Sequence, residues 1–382
     1  MPSHVFGEQK KFLKFGLSSA NFRHYVGLIE DEVEMYMDKS LPSLDTSGND
    51  VFQWPSFDPL RVLEDIAILT SSRTLQGREV RSNIDGSIAA LYKDLDAAVI
   101  LINFIYPDLP LPVNKRRDRA QQTMSQFYID IIQRRRLQNL SKEDTDVDLI
   151  ASLLGQTYKN GRALEDYEIA HLMIGLLMAS QHTSAASGSW ILLHLAANPD
   201  VAEAVYAEQQ ANFSSPDGSM RPMTYDELRE LPLLNAIIRE TLRIHPPIHS
   251  ILRHLRKEVI VPQVVSPNMY SIPAGHYVLT SPLVSQMDSE TWADPEKWCP
   301  FRWIDSAARQ EKTSEADEEH DMDIVPSSGF KAHSNRVFQP FGTGKHKCIG
   351  EQVSRVLDSG NLLNLTAEAL FFCSSRMYNW GL

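Results

Sequence analysis

The chain has 382 residues, enough to bury one large hydrophobic core or two small ones. Its formal net charge of −12 argues against a nucleic-acid partner. Its three cysteines follow no pairing pattern, which is typical of a reducing compartment, and no apolar run reaches the ~18 residues that span a bilayer. Helical periodicity dominates, with extended segments at 258–262 and 276–280, so we predict a mainly α fold with small β regions.

The first half of the chain offers basic helices and little chemistry. Residues 8–17 predict an amphipathic helix that carries Lys10, and a solvated lysine is the alternative interpretation of that residue. The basic clusters 115–117 and 134–136 resemble helix ends. Contact with anionic lipid is one explanation for them, and complementarity to the helix dipole is the simpler one.

Residues 169–197 predict one long helix that is apolar on nearly every face and ends near Asn198 and Pro199. Its middle, residues 179–184, is unexpectedly polar. Burying hydroxyl groups and an imidazole costs free energy unless they find partners, so the patch indicates a groove over a bound group. For His182 alone, a hydrogen-bonded core histidine is the alternative interpretation.

A shorter helix over 231–244 places Glu240 and Arg243 three residues apart, on one face, where a bidentate ion pair can form. A solvated helical pair is the alternative. Farther along, residues 305–335 are polar, acidic and loop-like. We interpret them as a surface insertion in preference to a cation site.

Residues 341–350 hold the strongest chemical signal, a cysteine behind a glycine-spaced loop. A thiolate is a soft iron ligand that haem enzymes use to split dioxygen, which makes Cys348 the predicted iron ligand. Gly342 lets the backbone approach a flat cofactor, Phe341 can pack near its ring, and His346 can reach a propionate. A structural cysteine in a turn is the alternative.

Four basic residues surround this loop. A positive face beside the cysteine would suit an acidic electron donor, and solvated lysines are the equally simple alternative. The four residues are Lys331, Arg336, Lys345 and Lys347.

With these motifs the chain resembles the cytochrome P-450 superfamily of haem-thiolate monooxygenases. Glu240 and Arg243 match its Glu-x-x-Arg pair, and Arg302 matches the second arginine of that network, although Trp298 stands where the family usually has phenylalanine. The polar patch is similar to that of sterol 14α-demethylases, which normally have glycine at the position of Ser180. The resemblance, to fungal members in particular, covers roughly residues 7–352. Further matching segments are 8–17, 72–77, 91–95, 158–161 and 245–253.

The resemblance implies a site built around haem b. Cys348 would bind the iron, while Thr183 and His182 would organise protons for cleavage of the O–O bond. The implied propionate partners are Lys10, Arg253 and His346. The implied sterol-facing wall consists of Ala179, Ser180, His249, Ser250 and Ile251.

The implied reaction removes the 14α-methyl group of lanosterol or eburicol in ergosterol biosynthesis, a target of azoles. Three oxidations pass through alcohol and aldehyde and release formate. Electrons would come from NADPH through a cytochrome P-450 reductase that carries FAD and FMN. Family members lie at the cytosolic face of the endoplasmic reticulum membrane, although this sequence shows no anchor segment.

Both ends depart from the family pattern. We therefore expect a P-450 fold that is incomplete at both ends, with a partial catalytic domain over 1–352 and a non-family tail over 353–382. A retained intron or a wrong gene boundary would produce such a tail. There are two alternatives to a demethylase: an inactive fragment without stable haem, and a monooxygenase with another substrate. We expect the chain as written to show little demethylase activity.

Overall fold

The computed structural model of the chain describes residues 3–40, 58–84, 86–97, 100, 102–103, 106, 109–137, 148–215, 220–261, 270–308, 337–352, 354–356 and 359. The chain divides into two compact units. The first unit comprises Met1–Leu231 and Ile349–Leu382, and the second comprises Pro232–Cys348. Within the described residues, no helix is long and apolar enough to cross a membrane.

The described elements of the first unit are helical apart from two isolated β-bridges. A short π-helix, Ser72–Gln76, directly continues the third helix. The α-helices are α1 Ser3–Gly16, α2 Ser19–Ser40, α3 Pro59–Ser71, α4 Arg78–Asn83, α5 Gly86–Asp96, α6 Pro112–Leu137, α7 Leu149–Leu154, α8 Asp166–Ala197, α9 Pro199–Phe213 and α10 Tyr225–Leu228.

Helix α8 is the central element of the first unit, because α3, α6, α7 and α9 all pack against it. It begins with a capping box between Glu165 and Glu168 and runs for 32 residues, starting three residues before the predicted helix. A Cβ atom at Gly188 would stand 3.1 Å from Leu63 Cδ1, so the missing side chain allows α3 to lie close against α8. This close approach fixes the spacing of the two helices.

The basic clusters on α6 differ in their positions on the helix. The cluster 134–136 lies in the last turn, where positive charge complements the helix dipole, as predicted. The cluster 115–117 lies near the start of α6, so the dipole explanation is wrong for it. Nearby carboxylates compensate these charges instead: Arg116 lies 3.6 Å from Asp94 and Arg117 lies 2.8 Å from Asp118.

The second unit combines helices with two small antiparallel sheets. Its strands are β1 Ile251–His254, β2 Val259–Ile260, β3 Ser271–Ile272 and β4 Tyr277–Thr280, and its α-helices are α11 Pro232–Ile244, α12 Pro282–Gln286 and α13 Phe301–Ala308. Strand β1 pairs with β4, and β2 pairs with β3. Trp292 and Trp303 pack together with a ring separation of 5.4 Å and form a small core with Ala236.

The fold class is confirmed, since long helices dominate and the described strands are short. The predicted helix 231–244 is α11, and the extended segments 258–262 and 276–280 contain β2 and β4. One correction concerns the acidic insertion. Its first four residues, 305–308, are the last turn of α13, because the helix that starts at Phe301 continues through two alanines. The rest of that insertion, the basic residues Lys331 and Arg336, and nearly all of the predicted tail lie outside the described residues.

Candidate functional site

The cysteine loop is a tight turn that presents a free thiol. The Cys348 N–H donates to the Phe341 carbonyl oxygen at 2.9 Å, and the Lys347 N–H donates to the Gly344 carbonyl oxygen at 3.0 Å. Gly342 and Gly344 have φ angles of +68° and +64°, in the left-handed region that favours glycine. The loop closes on itself in this way and leaves Cys348 exposed and outside any disulfide.

This loop fits the thiolate side of a haem. A cysteine sulfur is the donor that haem-thiolate iron requires, and the Cys348 thiol is exposed and free to bind a metal. Gly342 and Gly344, which precede Cys348 in the sequence, have no side chains, so a flat ring can approach the backbone of the loop closely. His346 and Phe341 belong to the same loop, and the His346 side chain is exposed.

Residues 249–253 lie in the same unit as this loop. Ile251 begins β1, and its Cδ1 atom would stand 3.6 Å from a Cβ at Gly342, so this one residue of the predicted sterol wall lies beside the cysteine loop. The His249 ring bonds to the Ser250 hydroxyl at 2.7 Å, with Nδ1 facing the oxygen. Arg253 is exposed on β1, where its Nη1 donates to the Leu252 carbonyl oxygen at 3.0 Å.

Glu240 is the centre of a buried hydrogen-bond network in the second unit. Its carboxylate accepts two bonds from the Arg243 guanidinium at 2.9 and 3.0 Å, and one from Arg302 Nε at 3.0 Å. It also accepts from the Cys299 N–H and the Trp303 indole, both at 2.9 Å. The side chains of Glu240 and Arg243 are 0% exposed. The predicted network therefore gathers five donors on one carboxylate.

Trp298, the departure from the family pattern, is part of this region. Its indole N–H donates to the Thr241 hydroxyl at 3.0 Å. Phenylalanine has no donor for such a bond, so the indole adds a link between residue 298 and helix α11 that the usual residue lacks.

In the first unit, His182 lies between two carboxylates. Its Nε2 atom is hydrogen-bonded to Asp96, at the end of α5, and its Nδ1 atom lies 3.4 Å from Glu64 of α3. A carboxylate only accepts hydrogen bonds, so both contacts are satisfied when both ring nitrogens carry protons. The side chain is 45% exposed, so the core-histidine alternative is wrong.

The neighbours of His182 on α8 bond to their own helix. The Thr183 hydroxyl donates to the Ala179 carbonyl oxygen at 2.7 Å, and the Ser180 hydroxyl donates to the Leu177 carbonyl oxygen at 3.0 Å. These bonds satisfy the polar groups that the sequence places on an apolar helix. One face of α8 is open, with exposed or half-buried residues at the helical spacing His171, Gly175, Ala179 and His182.

The sequence does not indicate the two carboxylates that lie beside His182. Asp96 is 86 residues from His182 in the chain, and Glu64 lies still farther away. No spacing in the sequence links them; the packing of α3 against α8, and of α5 against α6, brings them together. Lys10 lies on α1 of the same unit.

The long central helix, the Glu240 network and the free thiol behind a glycine loop define a haem-thiolate class of protein. The sequence profile of the cytochrome P450 family matches residues 7–357. The chain therefore belongs to the cytochrome P450 family. A solved structure of a cyanobacterial CYP120A1 with bound retinoic acid has the same fold, with a TM-score of 0.71 over 95% of this chain and 71% of that chain, at 18% identity.

Fungal demethylases are considerably more similar in sequence. The chain is 44% identical to a lanosterol 14-alpha demethylase of Mycosarcoma maydis over 92% of this chain and 64% of that protein. It is 40% identical to an eburicol 14-alpha-demethylase of Uncinula necator over 92% of this chain and 64% of that protein. It is 41% identical to a sterol 14-alpha demethylase of Aspergillus fumigatus over 93% of this chain and 66% of that protein. The chain thus spans slightly less than two thirds of the length of these relatives.

Proposed function

We propose that this chain is the major part of a haem-thiolate monooxygenase that removes the 14α-methyl group of a lanosterol-type sterol. The observation that carries the proposal is the Cys348 loop, whose exposed thiol and left-handed glycines suit a haem ligand. The identity of 40–44% to fungal lanosterol and eburicol demethylases supports the choice of substrate. Haem bound at Cys348 would supply activation of dioxygen.

The chain's own residues would divide the remaining work. Phe341 and Gly342 would border the ring, and Lys10, Arg253 and His346 would pair with its propionates. On the substrate side, Ile251 lies beside the cysteine loop, so it and its neighbours His249 and Ser250 are suited to line the sterol cavity. Ala179 and Ser180, on α8, are the other candidates for contact with the sterol.

Proton supply would use the polar residues of α8. His182 is held by Asp96 and Glu64 and is half exposed, so this carboxylate–imidazole group connects the polar patch of α8 with solvent. Thr183 follows His182 directly. Its hydroxyl donates to the Ala179 carbonyl oxygen, and the hydroxyl oxygen can still accept hydrogen bonds through its two lone pairs. We assign the donor task to His182 and the positioning of water to Thr183.

The same proposal includes the partners that this chemistry requires. Two electrons per oxidation would come from NADPH through a cytochrome P450 reductase with FAD and FMN, docked near Lys345 and Lys347. Location at the cytosolic face of the endoplasmic reticulum would bring the enzyme together with its sterol.

Spectroscopy and turnover test the proposal separately. The chain is expressed with haem supplied, reduced and exposed to carbon monoxide, and a red-shifted Soret band is expected from a thiolate ligand. In a version extended to the full length of the fungal relatives, lanosterol and eburicol are then titrated and incubated with reductase and NADPH, and 14-demethylated products are sought by mass spectrometry. Absence of the shifted band would overturn the haem assignment, and turnover of neither sterol would overturn the substrate assignment.

A further inference from the structure

A continuous chain of buried hydrogen bonds crosses the first unit, which also holds the His182 cluster, formed by His182, Asp96 and Glu64. The Tyr92 and Tyr128 hydroxyls lie 3.1 Å apart, and the Tyr128 hydroxyl donates to Gln76 Oε1 at 2.7 Å. Gln76 Nε2 in turn donates to the Met173 carbonyl oxygen at 2.9 Å. All four residues are buried, with exposures of 0–1%. The bonds therefore form where water does not compete for them.

The direction of this chain is fixed by its donors. Tyr128 has a single hydroxyl proton and donates it to Gln76, so the Tyr92 hydroxyl must donate to the Tyr128 oxygen. Burial raises the pKa of both hydroxyls above the ordinary tyrosine range, so both keep their protons. Every hydrogen bond thus points the same way, from Tyr92 toward Met173, and no member can reverse alone.

Each end of this chain lies on an element that also carries a member of the His182 cluster. Tyr92 is one helical turn before Asp96 on α5, so the two residues share a face. Gln76 ends the π-helix that continues α3, the helix of Glu64. Met173 precedes His182 on α8, about 14 Å away along the axis at the usual rise. Tyr128, on α6, bridges the tyrosine of α5 to the glutamine.

We propose that the Tyr92–Tyr128–Gln76 chain is a positioning device that sets the separation of Asp96 and Glu64 from His182. The hydrogen-bond chain links three elements: α5, α3 together with its π-helix, and α8. The contacts of His182 with Asp96 and Glu64 link the same three elements at a second place along their lengths. Loss of a buried hydroxyl leaves partners unsatisfied, so α5 shifts relative to α8 and the Asp96 contact opens. Its part in proton supply rests on the proposed function, whereas the spatial claim does not.

The experiment measures the reactivity of His182 directly in the full chain. Diethylpyrocarbonate acylates histidine, and peptide mass spectrometry quantifies the rate at His182 at one fixed pH near neutrality. His254, in the second unit, is the internal reference. We expect Tyr128→Phe to raise the acylation rate at His182 roughly threefold or more, which corresponds to the free energy of one buried hydrogen bond. The acylation rate at His254 should stay unchanged. An unchanged His182 rate in Tyr128→Phe would overturn the proposal.

Tyr25→Phe is the matched control. The Tyr25 hydroxyl is buried in the same unit and donates to the Gly16 carbonyl oxygen at 3.2 Å, and Tyr25 contributes to neither hydrogen-bond group. The control should lower the melting temperature without changing the His182 rate. An equal rise at His182 in the control would reduce the effect to general loosening of the unit and overturn the proposal.

Two more variants complete the test. Tyr92→Phe removes only the first donor and keeps the Tyr128–Gln76–Met173 part, so it serves if Tyr128→Phe does not fold, and it should raise the His182 rate less. In an Asp96→Asn background, Tyr128→Phe should add little, because the contact on which it acts is already weakened. An additive effect there contradicts the proposal. A full-length wild-type protein that binds haem but turns over no sterol would overturn the proposed function and leave these rates interpretable.

Discussion

Gly77 and Asp148 approach so closely that no side chain fits between them. A Cβ atom at Gly77 would overlap Asp148 Oδ2 and stand 3.1 Å from its Cγ atom, and the φ angle of Gly77 is +93°. The Asp148 carboxylate cannot move aside easily, since it accepts from Arg135 at 2.9 Å and from the Ala151 N–H that begins α7 at 2.8 Å. Arg135 also binds Glu79 at 3.1 Å. The turn after the π-helix is thus fixed to both α6 and α7.

Gly77→Ala should therefore destabilise the first unit strongly. Gly161 is the matched control, because its φ angle is +82° but nothing lies within 4 Å of its Cβ position. We expect Gly161→Ala to cost about 1–2 kcal/mol from backbone strain alone, and Gly77→Ala to cost clearly more. Chemical denaturation of the two variants measures the difference. Equal losses of unfolding free energy in Gly77→Ala and Gly161→Ala would contradict this expectation, because they would mean that moving the Asp148 carboxylate aside has no energetic cost.

Replacement of Glu240 by glutamine should unfold or severely weaken the second unit. The variant keeps the volume but leaves the buried Arg243 charge without its counterion, a change that costs about 3–5 kcal/mol. Glu227→Gln is the control, because its partner Arg221 is 41% exposed, and such a pair contributes about 1 kcal/mol or less. Urea unfolding monitored by tryptophan fluorescence gives both values. A loss at residue 240 no larger than at residue 227 would contradict this expectation.

Cys348→Ser should abolish the red-shifted band of the reduced carbon monoxide complex, because a neutral hydroxyl is a weak iron ligand. Cys299→Ser should retain the band, since its contact with Glu240 is made by the backbone N–H, which the substitution keeps. Absorption spectra of the two variants at equal haem load test the assignment. The reverse pattern would transfer the ligand role to Cys299.

Thr183→Ala should retain haem and sterol binding but lower the product formed per NADPH consumed, with the difference released as peroxide. The hydroxyl that helps to position water is lost, and a general acid–base contribution of this kind is about 10²–10⁴-fold at most. Thr183→Ser restores a hydroxyl that can reach the same Ala179 carbonyl oxygen and should recover much of the coupling. Unchanged coupling in the alanine variant would reduce Thr183 to a packing residue.

Acid should weaken the contact between Arg162 and α8. Hydrogen bonds from Arg162, at 2.9 Å to each oxygen, hold the pKa of Glu168 below its ordinary range, against the opposing effect of burial. The ionised form is favoured in the folded state, so its stabilisation is present above the unfolded pKa of about 4.3 and is lost as the pH falls through the folded pKa. The melting temperature of the wild type should exceed that of Glu168→Gln by a constant margin from about pH 7 to about pH 5, and the margin should shrink below that range.

The same comparison in an Arg162→Gln background is the control for this pH effect. In that background, the chain with Glu168 and the chain with the Glu168→Gln substitution should differ less in melting temperature, and acid should change their difference only slightly. The reason is that the guanidinium that favours the ionised carboxylate is gone. A margin that shrinks equally in both backgrounds would assign the effect to a group other than Arg162.

Local patterns in the sequence predicted several features of the second unit. Glu240 and Arg243 share a helix face at a fixed spacing, and the glycines of the cysteine loop mark a turn, so both features follow from short-range chemistry. Two of the five donors on Glu240 could not be predicted, because they are the Cys299 backbone N–H and the Trp303 indole. Their convergence depends on how a loop returns to the helix.

The contacts within the His182 cluster could not be predicted from local sequence patterns either, for a related physical reason. The apolar pattern of residues 169–197 predicts a buried helix but does not indicate which neighbours its polar patch meets. Asp96 and Glu64 lie on helices whose order beside α8 depends on packing, including the close approach of Leu63 at Gly188. Histidine pairs with distant carboxylates therefore need a tertiary structure to be recognised.

The Glu240 network has a consequence for the order in which the second unit folds. Helix α11 can form early from local contacts, but the bond from Arg302 to Glu240 closes a loop of 62 residues. Until that loop closes, Glu240 and Arg243 stay accessible to water, so we expect burial of the ion pair to be a late step that follows docking of residues 298–303. The Cys299 amide, although it lies outside a helix, should then exchange its hydrogen as slowly as the core of α11 and report completion of this unit.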